Sequence, residues 1–225
     1  VDMVYAILGA WKSPNGFTAP PMPAAINILK PARVHLPIAG KVQSDLVMGC
    51  YAPKRNDADY LAASLGNNIL GQFGMMGRIG AAVREKSGLA YYASTSLNAW
   101  LQGGSWEINA GVNPTNLEAA IRIIKEEVAN FIAEPVTEEE LADSKSNFIG
   151  LLPLSVESNN GVASAIIRME RFGLGLNYLR NYPNTINRIT REEILQVARK
   201  YLQPENMVVV SAGPPIDAQN SQVTA

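Results

Sequence analysis

Apolar and polar residues alternate most regularly over Gly103–Val112, where Trp106, Ile108, Ala110 and Val112 interleave with Ser105, Glu107, Asn109 and Gly111. A period of two with one apolar set predicts a strand that buries one face and wets the other. Leu89–Trp100 reads as its hairpin partner, joined through Gln102-Gly103-Gly104. Parity along that partner groups Tyr91 with Leu89, Ala93 and Leu97, which directs Tyr91 away from solvent unless it stands at the open end of the sheet. Upstream, Arg33–Pro37 and Val42–Tyr51 are predicted strands, the second with Val42, Ser44, Leu46, Met48 and Cys50 on its less polar side. Met207–Ser211, a short β-branched run, is the predicted last strand, and it is expected to be buried.

A three- and four-residue rhythm marks the helices. Asn56 or Asp57 is placed to cap a helix running to about Leu70, with Leu61, Leu65, Ile69 and Leu70 on one side. Ile79, Ala82, Val83 and Lys86 form the next stripe, and Gly88 supplies the left-handed residue that ends it. Arg84 therefore falls in a last helical turn and Tyr91 just inside a strand. Asn113-Pro114 opens an amphipathic helix striped by Leu117, Ala120, Ile121, Ile124, Val128, Phe131 and Ile132. Thr137 with Glu140, and Thr190 with Glu193, have capping-box spacing. Between them the chain reads as mostly helical, with breaks near Asn159-Asn160-Gly161, Gly173-Leu174-Gly175 and Pro183. This order predicts an α+β layer fold, a mostly antiparallel sheet with helices packed on one face. Residues 1–31 are expected to be a short helix and a Pro-rich linker, 32–213 a single α+β domain, and 214–225 a disordered tail.

Composition narrows the function classes. Lys+Arg 19 against Asp+Glu 20 gives a net charge of −1, which provides no electrostatic footprint for nucleic acid. No apolar run is long enough to span a bilayer. Charged residues make up 17% of the chain, a low share that hints at surface covered by another domain or subunit, with self-association of the isolated chain as one outcome. The chain begins at Val1 without a basic leader and reads as a piece of something longer.

A zinc hydrolase takes three protein ligands and a general base. Here the single histidine, His35, and the single cysteine, Cys50, lack any ligand spacing, and Cys50 reads as a buried structural thiol. A His35–Cys50 pair across adjacent strands is the one nucleophilic arrangement they permit. Gly71, Gly74, Gly77 and Gly80 recur every third residue without a phosphate-loop spacing and are read as close helix packing or a flexible helix entrance. Glu138, Glu139 and Glu140 fit a helix start, where the dipole favours carboxylates. Arg84 and Tyr91, a cation and a phenol on either side of a tight reversal, are suited to holding one peptide carbonyl. On local chemistry alone, ordinary helix-end and strand packing is the better account of the same two residues.

Gly77-Arg78-Ile79 followed by Val83-Arg84-Glu85-Lys86-Ser87-Gly88-Leu89-Ala90-Tyr91 closely resembles the second-half signature of the pitrilysin/insulinase family of zinc metallopeptidases, which includes mitochondrial processing peptidase. Similar stretches are Gly9-Ala10-Trp11, Gly40-Lys41-Val42-Gln43-Ser44, Asn68-Ile69-Leu70-Gly71 and Arg171-Phe172-Gly173-Leu174-Gly175, so the resemblance runs from about Leu8 to Gly213. It implies the LuxS/processing-peptidase-like metallohydrolase fold, one of two homologous halves that face each other like a clamshell. In the family the first half holds zinc through an inverted His-x-x-Glu-His motif and a distal glutamate, while the second contributes an arginine and a tyrosine. By resemblance, Tyr91 bonds the scissile carbonyl or its oxyanion and Arg84 holds the substrate backbone. The resemblance thus implies no cofactor in this chain, zinc in a homologous partner half on the same polypeptide or a separate subunit, and a peptide substrate. Two rival expectations are a structural or assembly subunit, like the respiratory-complex core proteins that resemble processing peptidase, and a free-standing peptide-binding module.

Overall fold

The computed structural model describes residues 1–12, 20–23, 30–72 and 77–215. Five strands form one sheet: β1 (Ala32–Pro37), β2 (Ser44–Ala52), β3 (Ala90–Ala99), β4 (Gly104–Val112) and β5 (Val208–Gly213), in the order β1-β5-β2-β4-β3. Every pairing is antiparallel except β1 with β5. The last strand thus inserts between the first two, and Val209 and Ser211 turn inward beside Leu46 and Met48.

Alternation along β4 is realised as read: Trp106, Ile108, Ala110 and Val112 are all fully buried. Covering that face are α2 (Tyr60–Asn67), α4 (Leu117–Ala133) and α8 (Arg191–Tyr201), whose Leu65, Ile124, Phe131, Ile194 and Ala198 complete a single core. Among the described residues the other face is less covered, with Val47 exposed and Glu107 and Asn109 only partly buried. Both capping boxes form, Thr137 Oγ1 accepting from Glu140 N at 3.1 Å and Thr190 Oγ1 accepting from Glu193 N at 3.2 Å, and they start α5 (Glu138–Ser155) and α8. Asn113 caps the short turn Pro114–Asn116 that leads into α4. A first helix, α1 (Asp2–Leu8), buries none of its side chains. Most of the expected Pro-rich linker and of the expected tail lies outside the described residues.

Several local expectations are corrected. The helix before Leu70 begins at Tyr60, because the Asp57 carboxylate instead accepts the Lys54 N–H at 2.9 Å and closes a turn ahead of it. Asp59 takes the cap position with its carboxylate turned toward Lys200 Nζ, 2.6 Å away, and Tyr201. Val42 precedes β2 and is exposed. The break expected at Asn159 comes just before it, where Ser158 caps α6 (Asn159–Arg171) by accepting from Gly161 N. Pro183 breaks nothing: it lies inside α7 (Tyr178–Arg188), where packing of Tyr182 and the fully buried Ile186 outweighs the lost backbone bond. Pro153 likewise sits within the final turn of α5.

Candidate substrate-facing site at the α3–β3 reversal

The segment carrying Arg84 starts as α3 (Arg78–Gly80) and continues without interruption as a wider, π-type coil over Ala81–Lys86. Ile79 and Val83, both fully buried, fix its inner side. Its start is held from two directions. A methyl group at Gly77 would stand 2.4 Å from Gly71 Cα, so two glycines make direct backbone contact, the close packing read from their spacing; Gly74 lies outside the described residues. Arg78 then grips Glu140 of α5 bidentately, Nε to Oε1 and Nη2 to Oε2 at 2.7 Å each, with its guanidinium 5.3 Å from the Phe131 ring centroid.

Arg78 holds the Glu140 carboxyl below the usual glutamate range, aided by the backbone N–H and the hydroxyl of Thr137. Burial pushes neighbouring Glu127 the other way. A depressed carboxyl contributes stability above its unfolded pKa, and that contribution is lost as pH falls through the folded value. Glu140→Gln is therefore expected to cost about 1.5–3 kcal/mol near neutrality. The difference from wild type should shrink in denaturant titrations below about pH 4.5, the ordinary glutamate value. A gap that is constant with pH would refute the assignment.

At its far end the coil closes through Gly88 N to Arg84 O at 2.9 Å and Leu89 N to Val83 O at 3.0 Å, each bond one residue wider than in the usual glycine-terminated helix. Gly88, at φ +62°, makes the reversal. Arg84 is half-exposed, and its Nε lies 3.8 Å from Glu85 Oε1, a solvent-screened pair of little energetic weight.

Tyr91 follows in β3 and is 66% exposed, against the direction its parity gave. The reason is a β-bulge. Ala90 pairs with Val112 and Tyr92 with Gly111, so Tyr91 is an extra residue opposite no partner and leaves the alternation that sends Ala93 and Thr95 inward. Tyr92 is also exposed, and its hydroxyl lies 3.4 Å from Asp45 Oδ1. Lys41 and Gln43 both donate to Asp45, and the Lys41 ammonium draws its carboxyl below the usual range. No sequence pattern marked Tyr92, Asp45 or Gly111; the strand register that joins them is a tertiary property.

Other candidates separate. His35 and Cys50 are not on adjacent strands, because β5 lies between β1 and β2. His35 Nε2 is 3.0 Å from the Pro214 carbonyl and so carries a proton, leaving Nδ1, 2.9 Å from Ser211 Oγ, to accept from that hydroxyl. Burial pushes the Cys50 thiol up to about 12, which makes it inert as a nucleophile. Beneath the sheet, α2, the residue that follows it and α5 bury Ser64, Asn67, Asn68 and Ser144, and among the described residues Asn67 Oδ1 and Asn68 Oδ1 lack hydrogen-bond partners. Hydroxyls and amides of this kind do not fit a zinc site. Among the described residues no three His, Cys, Asp or Glu side chains are grouped to hold a metal, and no helix is long and apolar enough to cross a membrane.

Comparison with known proteins adds the family. The chain is 24% identical over 217 residues to an uncharacterised zinc protease of Streptomyces coelicolor, covering 96% of this chain and 46% of that protein. A solved peptidase M16 inactive domain from Pseudomonas fluorescens superposes with a TM-score of 0.81 at 28% identity, over 90% of this chain and 48% of that one. A chain of complex III2 from Candida albicans shares the fold at a TM-score of 0.70 and 14% identity, over 81% of this chain and 46% of that one. The chain thus spans about half the length of these three relatives. The family model described as the peptidase M16 inactive domain matches residues 1–148. By that match the chain belongs to the peptidase M16 family of pitrilysin-type zinc peptidases, as its inactive domain.

Proposed function

We propose that this chain is the non-metal half of an M16 zinc metalloendopeptidase, closing a chamber opposite a zinc-bearing half and holding a peptide through Arg84 and Tyr91. The observation that carries the reading is the Gly88 reversal, which sets a half-exposed guanidinium and an exposed phenol on either side of one tight turn. A phenol can donate to an oxyanion as it develops, and a guanidinium can donate to backbone carbonyls along an extended peptide. Zinc belongs to the other half in this reading, where it would polarise the scissile carbonyl; the interior of this half offers the wrong donors. Exposed Leu151, Leu154, Val162, Ile166 and Ile167 on α5 and α6 agree with a surface meant for a partner. The test is peptide cleavage by the assembled enzyme with this half wild type, Arg84→Ala or Tyr91→Phe. Unchanged turnover in both variants would remove the proposed role.

A second reading, a subunit that scaffolds an assembly and cleaves nothing, is favoured by the fold shared with the complex III2 chain. The two separate on the partner half: an intact His-x-x-Glu-His there supports the peptidase, and a degenerate one supports the scaffold.

A further inference from the structure

We propose that Gly111, Tyr92 and Asp45 form a three-strand clamp that holds the β3 bulge and thereby positions Tyr91, an inference that rests on the substrate role just given to Tyr91. A bulge gives up ladder bonds and leaves one residue unpaired, so the register on either side of it needs a fixed point. Here that point is a row across the sheet: Asp45 on β2 pairs with Gly111 on β4, and Gly111 pairs with Tyr92 on β3.

Gly111 is the seat. A methyl group there would stand 2.3 Å from Tyr92 Cε1, 2.8 Å from Tyr92 Cδ1 and 2.5 Å from Gln43 Nε2. Gly111 belongs to the open side of the sheet, yet it is buried, and the cover is the Tyr92 ring. An aromatic ring laid over a cross-strand glycine gains packing that no other residue pair at that position allows. The far end of the ring is fixed as well, with its hydroxyl 3.4 Å from Asp45 Oδ1 and that carboxylate already tied by Lys41 and by Gln43, the latter at 2.8 Å. Burial raises the Tyr92 phenol and Lys41 lowers the Asp45 carboxyl, so a phenol faces a carboxylate. With Tyr92 pinned over Gly111, the peptide between Ala90 and Tyr92 must bow outward, and Tyr91 is what it carries. Tyr92, Gly111 and Asp45 are positioning residues in this arrangement, acting through Tyr91.

The experiment uses the full-length protein assembled with its zinc-bearing half. Gly111→Ala leaves no room for the ring and is expected to lower kcat by about tenfold to a hundredfold with KM little changed. Tyr92→Ser, which removes the ring without adding bulk, should do the same, whereas Tyr92→Phe, which keeps the ring over Gly111 but loses the bond to Asp45, should fall between wild type and Tyr92→Ser. Combined with Tyr91→Phe, neither Gly111→Ala nor Tyr92→Ser should lower turnover further, since all act through one phenol. Losses that add to that of Tyr91→Phe would overturn the clamp. Nitration by tetranitromethane, read by mass spectrometry, gives an outcome independent of activity: Tyr91 should react ahead of Tyr92 in wild type, and Gly111→Ala should abolish that order. Should Tyr91→Phe leave turnover intact, the substrate role falls, and the nitration order alone upholds or refutes the clamp.

Discussion

Tyr91→Phe in the assembled enzyme is expected to lower kcat by about a hundredfold to a thousandfold, the usual consequence of deleting one oxyanion donor. The phenol sits on a bulge, 66% exposed, so its hydroxyl supports no packing, and the variant should unfold within about 0.5 kcal/mol of wild type. An activity loss of that size beside intact stability isolates the chemistry. KM should move little, because a donor that engages only the developing oxyanion contributes nothing to ground-state binding. Arg84→Ala is expected to act in the opposite sense, raising KM more than it lowers kcat, since a guanidinium on the peptide backbone holds substrate and transition state alike. Arg84→Lys should rescue only in part, because an ammonium cannot present the planar fork. Steady-state kinetics with one fluorogenic peptide decides all three.

Trp106→Ala is expected to cost about 3–5 kcal/mol of folding stability, read as a lower denaturant midpoint at unchanged slope. Trp106 is fully buried near the start of β4 and lies where three helices converge on the sheet. A methyl group on Gly66 of α2 would be 3.5 Å from Trp106 Cη2, 3.7 Å from Phe131 Cζ of α4 and 3.2 Å from Ile194 Cγ2 of α8, so the vacated volume has no single neighbour able to fill it. Trp106→Phe should be far milder. The indole N–H has no acceptor among the described residues, and removing it relieves part of the penalty that the smaller ring incurs. If Phe proves as damaging as Ala, the N–H has a bound partner, and the packing account of this residue is wrong.

Much of this architecture is written in local patterns. The β4 alternation, the α4 stripe, both capping boxes and the glycine stop at Gly88 are decided by residues within one or two turns of each other, and each appears where read. What the pattern could not supply is anything settled across the sheet. The insertion of β5 between β1 and β2, which separates His35 from Cys50, depends on partners far apart in the chain. Asp57 and Asp59 compete for the start of α2, and the contest goes to Asp59 because Lys200 and Tyr201 await its carboxylate. The bulge is settled in the same way: strict parity sends Tyr91 inward, and only the pairing of Tyr92 with Gly111 shows why it turns out. The positions of Arg84 and Tyr91 were legible from the glycine stop between them, whereas their surroundings were not.

The placement of β5 carries a consequence for biosynthesis. β1 is made before the other four strands, yet among the described residues its neighbour in the sheet is β5, the last of the five to be made. Until β5 has been made, the edge of β2 that it will occupy stands bare, a template for intermolecular pairing. Loss of the final strand by premature termination would accordingly strip away two strands at once, leaving a three-stranded remnant with a sticky flank for cellular quality control to clear.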